Sequence, residues 1–346
     1  MNVAFLPVYP NPYQRLLRDA LADEGIGVDF LERLPDADWL NDQVGRIDIL
    51  HYHWLDGLYM NRFLTPVQVM KFVQHFRRAK ELGYRLVWTA HNILPHQRSF
   101  PPLHKSIRRL MMAQADAVIT HCQYGRRELL ARFPRRGPTV VIPLGHYRDV
   151  YPIAVTRSTA REQLNLDAGH FVYLAVGNIV AYKGLDELVA AFQRVAGLQD
   201  VVLIAGRNRD QRLVDRLLQA AAHDSRIRVQ PRYITDEELG TYLRAADVMV
   251  APFRQILTSS SVITALSYEL PVIVPTLGCL PELMTEDAGI LYQPEDPASL
   301  GQALLDIKKR DPAAMSAAAR RITDDLDWGP IAQQTAAVYR GCLTSV

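Results

Sequence analysis

Residues 171–184 read FVYLAVGNIVAYKG, six apolar or aromatic residues in a row and then a turn through two glycines with a lysine just before the second. A continuous apolar run bounded by turn residues is the pattern of a strand buried on both faces, which is the usual state of a parallel sheet. Residues 184 to 197 follow with helical period, and VVLIAG at 201 to 206 repeats the strand with its glycine ending. The series continues through a helix at 210 to 222, IRVQPRY, a helix at 236 to 245, VMVAPF, a helix at 259 to 269, PVIVP and GILYQ. Strand, helix, strand with polar turns after the strands predicts a doubly wound α/β unit.

Upstream, the same alternation runs from the start of the chain: VAFLPVY, 12 to 24, VDFLER, IDILHYHWL, 62 to 82, RLVWTAH, 103 to 114 and AVITHC. No sequence repeat links the halves, only a repeated architecture. At 346 residues the chain exceeds what one core usually serves. The expected organisation is an acceptor-binding Rossmann-like domain at 1–152 and a nucleotide-sugar-binding one at 153–326. A closing helix at 327–346, with Trp328, Ile331, Ala332, Val338 and Tyr339 at helical spacing, is expected to pack back toward the first domain. Two doubly wound halves of this kind would face one another across a cleft.

Charge divides unevenly. Up to residue 150 there are 20 Lys and Arg against 14 Asp and Glu, and beyond it 19 against 23. A basic first half suits a phosphate-bearing substrate or an anionic lipid surface, although solvated helix faces produce the same excess. The three cysteines are too few and too scattered for a zinc site or a disulfide framework. MNVAFLPVYPNPYQ lacks a basic leader and reads as a first strand, and no apolar run is long enough to span a bilayer, so a cytoplasmic protein is expected.

The turn after the first strand, PVYPNPY, has no glycine-rich fingerprint for a dinucleotide, and no P-loop occurs. Three polar features follow strands in the second half: GNIVAYKG at 177 to 184, AGRNRD at 205 to 210, and ILTSSS at 256 to 261. Thr258, Ser259, Ser260 and Ser261 at a helix start would join unpaired backbone N–H groups, the positive end of the helix dipole and hydroxyl donors, a seat for phosphate. A plain helix cap needs only one of them.

Taken in order, GNIVAYKG, RYITDEELGTYLRAADVMVAPF, ALSYELPVIVP, GCLPELM and GILYQPEDPASL resemble the second half of GT-B glycosyltransferases of the broad family-four-like group. NPYQRLLRDAL, LHYHWLDG, TAHNILPH and PLGHYRDVYP are similar to bacterial exopolysaccharide glycosyltransferases, including the β-mannosyltransferase type of the xanthan pathway, which uses GDP-mannose. The resemblance implies a donor site built from Gly177, Asn178, Lys183, Arg207, Tyr233, Arg254 and Thr258 to Ser261. On the acceptor side it implies Asp56 as the base that takes the acceptor proton and His91 as second choice, with Asn11, Tyr13, His53, His96 and His146 around the acceptor. Departures are equally visible: the usual glutamate pair, eight positions apart, is replaced by Ile256 and Thr264, and the usual first-loop arginine by Asn178 or Val180.

The implied activity is transfer of a hexosyl group, mannosyl from GDP-mannose foremost, to a glycolipid or exopolysaccharide precursor. Retaining transfer from a UDP-sugar, or binding without turnover, are the alternatives. No cofactor and no metal are expected, since Lys, Arg and helix amides can neutralise a diphosphate, and the Asp36 to Asp38 DAD triplet reads as a solvated turn. The expected partners are the nucleotide sugar, a lipid-linked or oligosaccharide acceptor and an anionic membrane surface at the inner face of the cell membrane, with no nucleic acid. LHKSIRRLMMAQ at 103 to 114 is the segment expected to touch that surface.

Overall fold

A computed structural model describes residues 1–9, 11–60, 66–95 and 101–344. In chain order its strands are β1 (Asn2–Leu6), β2 (Gly27–Phe30), β3 (Ile49–Tyr52), β4 (Arg85–Thr89), β5 (Ala117–Thr120), β6 (Thr139–Val141), β7 (Phe171–Val176), β8 (Asp200–Ala205), β9 (Ile227–Gln230), β10 (Val248–Val250), β11 (Val272–Pro275) and β12 (Gly289–Tyr292). The helices are α1 (Pro12–Asp23), α2 (Ala37–Asp42), α3 (Asp56–Tyr59), α4 (Pro66–Glu81), α5 (Pro101–Gln114), α6 (Gln123–Arg132), α7 (Arg157–Gln163) and α8 (Leu185–Val195). They continue as α9 (Gln211–His223), α10 (Asp236–Ala245), α11 (Ser260–Ser267), α12 (Leu280–Leu283), α13 (Ser299–Asp306), α14 (Pro312–Asp324) and α15 (Trp328–Thr344).

Two compact units result. One comprises Met1–Gly145 and Leu326–Val346, the other His146–Asp325. The first holds a parallel sheet in the order β2-β1-β3-β4-β5-β6. Its apolar strands are buried because helices cover both faces; every residue of β3 and β5 is buried. Helix α15 packs on α1, burying Ile331, Ala332, Ala336 and Tyr339. The strand order reverses between β1 and β3, the point at which an open parallel sheet leaves a crevice at its carboxyl edge. Register then fixes what gathers there: Leu6 lies opposite Tyr52, Tyr52 opposite Trp88 and Thr89 opposite Ile119. Residues just past β3, β4 and β5 therefore share one rim.

The second unit orders its strands β12-β11-β10-β7-β8-β9, with the reversal between β7 and β10. Its core joins Leu188 and Phe192 of α8, Leu213 and Leu217 of α9 and Leu304 of α13 to Val202, Ile204, Val248 and Ile273 of the sheet. The boundary falls before His146 rather than at 152, because the connecting stretch bonds to the second unit. Tyr147 N donates to Ser267 Oγ at 2.9 Å, Tyr151 N to Tyr268 Oη at 2.6 Å, and Arg148 pairs with Asp324 at 2.6 Å.

Other local expectations change with packing. The DAD triplet is solvated as expected, but it opens a helix and is not a turn: Asp36 caps α2, accepting from Trp39 N at 2.9 Å. Helix α5 turns Ile107, Met111 and Met112 into the core together with His104 and Arg108, so the apolar face proposed for lipid is already covered. None of the described helices is long and apolar enough to cross a membrane.

Candidate active site

In the second unit, β7 and β8 run in register from Phe171 opposite Asp200 to Val176 opposite Ala205, so Gly177 and Gly206 end side by side. Both are glycine for a steric reason. A Cβ on Gly206 (φ +154°) would stand 1.7 Å from the Gly177 carbonyl oxygen, and one on Gly177 (φ +116°) 2.6 Å from Lys183 Nζ. The bare strand end lets the lysine fold back over it: Nζ donates to the Val176 carbonyl at 3.3 Å and lies 5.9 Å from the Phe253 ring centre. No carboxylate among the described residues lies within ion-pair reach of it. Burial pulls the ammonium down to about 8, since desolvation penalises its charge. A half-buried cation without a counter-ion among the described residues, at the switch point of a parallel sheet, can receive an anion.

The ILTSSS stretch ends where α11 begins. Ser259 is the N-cap, accepting from Val262 N at 3.3 Å and bonding Ser261 Oγ at 3.0 Å; Ser260 is exposed, and Thr258 and Ser261 are half-buried. One hydroxyl of the four thus meets the helix's own need, as a plain cap requires.

Asn178 is exposed, and Arg207 stacks over Tyr233 at 4.7 Å. Arg254 does not fit the phosphate role expected of it. Its guanidinium donates to Glu187 at 2.7 Å, to Asp186 at 2.9 Å and to the Ala181 carbonyl at 3.0 Å, pinning the loop after β10 to the start of α8. Those carboxylates raise its pKa and neutralise the charge a phosphate would need. At the family's glutamate positions, Thr264 is buried in α11 and Ile256 is half-buried.

In the first unit, the rim past β3, β4 and β5 carries a chain of imidazoles. His121 Nδ1 meets the Ile142 carbonyl at 3.0 Å, His121 Nε2 meets His91 Nδ1 at 3.0 Å, and His91 Nε2 meets His53 Nδ1 at 3.2 Å. A carbonyl only accepts, so in neutral rings every proton is assigned in turn: each Nδ1 donates and each Nε2 accepts. The chain ends at His53 Nε2, buried and without a hydrogen-bond partner among the described residues. Beside it His51 bonds Tyr339 Oη at 2.5 Å and Thr89 Oγ1 at 2.8 Å. Burial first, and the neighbouring imidazoles second, hold His53 well below the ordinary histidine range and His51 at about 3; His121 is held at about 4 by burial.

His91 is therefore buried, neutral and occupied at both nitrogens, which corrects its assignment as a base: it has no lone pair left for a substrate proton. Instead it supports Trp54, stacked on it at 4.3 Å and 12°, while Tyr13 meets its edge at 4.9 Å. Tyr13 and His53 are buried, and Asn11 serves as the N-cap of α1, accepting from Tyr13 N at 3.1 Å. His146 lies in the second unit and accepts from Arg148 N at 3.3 Å. His96 falls outside the described residues. Asp56 alone of the two catalytic candidates presents an open group. It starts α3 two residues beyond Trp54, is 39% exposed, and stands 3.8 Å from Nη2 of the buried Arg108.

Sequence reading passed over His51, His121 and Trp54. Three successive strands followed by histidine, in HYHW, TAH and ITH, carried that signal.

Comparison with known proteins finds a family match in each half of the chain. The family described as Glycosyl transferases group 1 matches residues 170–322, and Glycosyltransferase Family 4 matches residues 22–146. The chain is a family-four-like GT-B glycosyltransferase. As such it moves a sugar from a nucleotide sugar. This transferase is 27% identical over 335 residues to a GDP-mannose:glycolipid 4-beta-D-mannosyltransferase of Xanthomonas campestris pv. campestris, covering 93% of the chain and 86% of the relative. It is 27% identical to a D-inositol 3-phosphate glycosyltransferase of Streptomyces avermitilis, over 96% of the chain and 73% of that relative. Among solved structures, sucrose-phosphate synthase from Thermosynechococcus elongatus superposes with a TM-score of 0.75 at 22% identity, covering all of both chains. Anabaena HepE, in complex with UDP and glucose, gives 0.74 at 17%, over 99% of this chain and 100% of that one. These two likenesses carry the fold.

Proposed function

We propose that the transferase moves a mannosyl group from GDP-mannose to a glycolipid or exopolysaccharide-precursor acceptor. What supports this most is the near full-length similarity to the GDP-mannose:glycolipid mannosyltransferase, which includes the first half, where acceptors would be chosen. In this reading Lys183 and the amides at the start of α11 hold the donor diphosphate and stabilise the departing nucleotide as its bond to the sugar breaks. Arg207 and Tyr233 flank the donor. Asp56 takes the proton of the acceptor hydroxyl as the new glycosidic bond forms, and Arg108 orients that carboxylate. The histidine chain holds Trp54 and the strand ends rigid beneath the acceptor, with Tyr13 and His53 as supports.

Donor choice is tested by thermal shift against GDP-mannose, UDP-glucose and ADP-glucose, since a ligand at 100 times its Kd stabilises by about 2.7 kcal/mol. Stabilisation by GDP-mannose, with GDP released only when a glycolipid acceptor is supplied, is the expected result. A shift with UDP-glucose alone would favour the reading as a UDP-sugar transferase.

A further inference from the structure

The turn after β1 holds an aromatic ring in the open. Its backbone is fixed from two sides: Val8 N donates to the Leu31 carbonyl at 3.0 Å, Tyr9 N donates to Gln14 Oε1 at 3.0 Å, and Gln14 Nε2, buried in α1, donates to the Pro7 carbonyl at 3.0 Å. The side chain of Tyr9 is nevertheless 37% exposed. Its place is set by the turn and not by burial of the ring, so the ring is ordered and still available to a ligand.

Its position ties it to the proposed base. The ring meets Trp54 at 5.1 Å and 77°, and its hydroxyl lies over Gly57, the residue after Asp56. A Cβ at position 57 would run into that hydroxyl and stand 3.1 Å from Tyr9 Cζ and 3.2 Å from Pro7 Cγ, so glycine clears the place the phenol occupies. Burial first, and the charge of Asp56 second, push the Tyr9 phenol above its ordinary range, which keeps it a donor. Trp54 is half-buried and backed by His91, stacked on it at 4.3 Å. Tyr9, Trp54 and Asp56 thus frame one corner, two rings nearly at right angles beside a carboxylate open to solvent.

A pyranose has a face of C–H groups and a rim of hydroxyls, and an aromatic ring beside a carboxylate meets both needs at once. We infer that Tyr9 is the platform for the acceptor sugar: its ring stacks on the C–H face of the sugar whose hydroxyl Asp56 deprotonates, and Trp54 closes the corner. A nucleobase could also stack on the ring, but it brings a diphosphate, which the Asp56 carboxylate repels. The inference rests on the reading of Asp56 as the group next to the acceptor hydroxyl.

Tryptophan fluorescence of the full chain, titrated with the methyl β-glycosides of glucose, mannose, galactose and glucuronic acid, tests it without turnover. At least one glycoside should give a saturable change, since Trp54 borders the corner. Tyr9→Ala should raise its dissociation constant roughly 10-fold, the worth of a lost aromatic contact. Tyr9→Phe keeps the ring and should stay within about fivefold of the unaltered chain, the worth of one neutral hydrogen bond. Gly57→Ala keeps Tyr9 but displaces its phenol, and should weaken binding as Tyr9→Ala does; it carries the test if Tyr9→Ala fails to fold. In transfer to a glycolipid acceptor, Tyr9→Ala should raise KM for the acceptor and leave KM for GDP-mannose unchanged, a split that a merely structural role would not give. No saturable change with any of the glycosides, equal affinity in the Tyr9→Ala chain, or a raised KM for GDP-mannose alone would each overturn the inference. Full turnover by Asp56→Asn, with glycoside binding still weakened by Tyr9→Ala, would instead defeat the reading of the base and leave the platform standing.

Discussion

The two rims handle their polar groups in opposite ways. In the first unit, His51, His91 and His121 have both ring nitrogens bonded to neighbouring side chains or a carbonyl, and burial keeps them neutral. In the second, Lys183 sits over a bare strand end with its charge unpaired among the described residues. Both places hold titratable groups with shifted pKa values at the carboxyl edge of a parallel sheet, so a shifted pKa does not by itself mark chemistry. What separates them is whether the geometry leaves the group a free valence. By that measure Asp56, which is open, is the group in the first unit that the proposed mechanism can use, and the histidines behind it are not.

The largest effect that could break this contrast is catalytic. Asp56→Asn should lower kcat by about 10²- to 10⁴-fold, the usual contribution of a positioned base, with donor affinity unchanged by calorimetry. His91→Gln, which can keep one of the network bonds, should leave a measurable rate; if His91→Gln proves the more damaging change, the histidine is the base after all. Acid comes next. The unfolded chain protonates its histidines near 6.5, while the native fold holds His51 at about 3, and His75 and His121 at about 4. Stability is therefore full above pH 6.5 and falls as pH drops, because only the unfolded state binds the protons. His51 alone should remove on the order of 2 kcal/mol at pH 5. Chemical denaturation at pH 7 and pH 5 checks this, and equal midpoints would show that the network tolerates charge.

For the second unit, Lys183→Ala should weaken nucleotide-sugar binding roughly 10- to 100-fold, the worth of a charge-assisted hydrogen bond. Affinity should decline above about pH 8, where burial lets the free ammonium lose its proton. A flat profile from pH 7 to pH 9 would mean that the bound phosphate does not depend on this charge. The smallest effect is expected at the opening of α11: Ser259→Ala should cost about 1 kcal/mol of stability, as a lost N-cap does. Ser260→Ala, at an exposed side chain, should leave stability alone and act only on donor affinity.

Most of the fold was legible because apolar periodicity is a local property. The run FVYLAV became β7 and the stretch expected at 236 to 245 became α10, whose capping box of Thr235 and Glu238 is itself written in sequence. Helices α13 and α14 were not anticipated, lying after the last strand where no alternation flags them. The donor side was partly legible: glycines at strand ends and a lysine in the turn mark an anion site in any parallel α/β unit. Arg254 was misread because its partners, Asp186 and Glu187, stand almost 70 positions away in sequence and meet it only when β7 and β10 become neighbours.

By itself, then, the sequence determined two doubly wound units, their strands, the glycine-cleared loop around Lys183 and the serine that caps α11, all consequences of residue type within a few positions. Tertiary structure decided which groups remain available. Parallel register carried His53, His91 and His121 to one rim and bonded them in a chain, with His51 beside it tied to Tyr339 and Thr89, α5 turned its apolar face inward, and Asp56 remained open. Availability depends on partners brought from distant strands, and no local pattern encodes them.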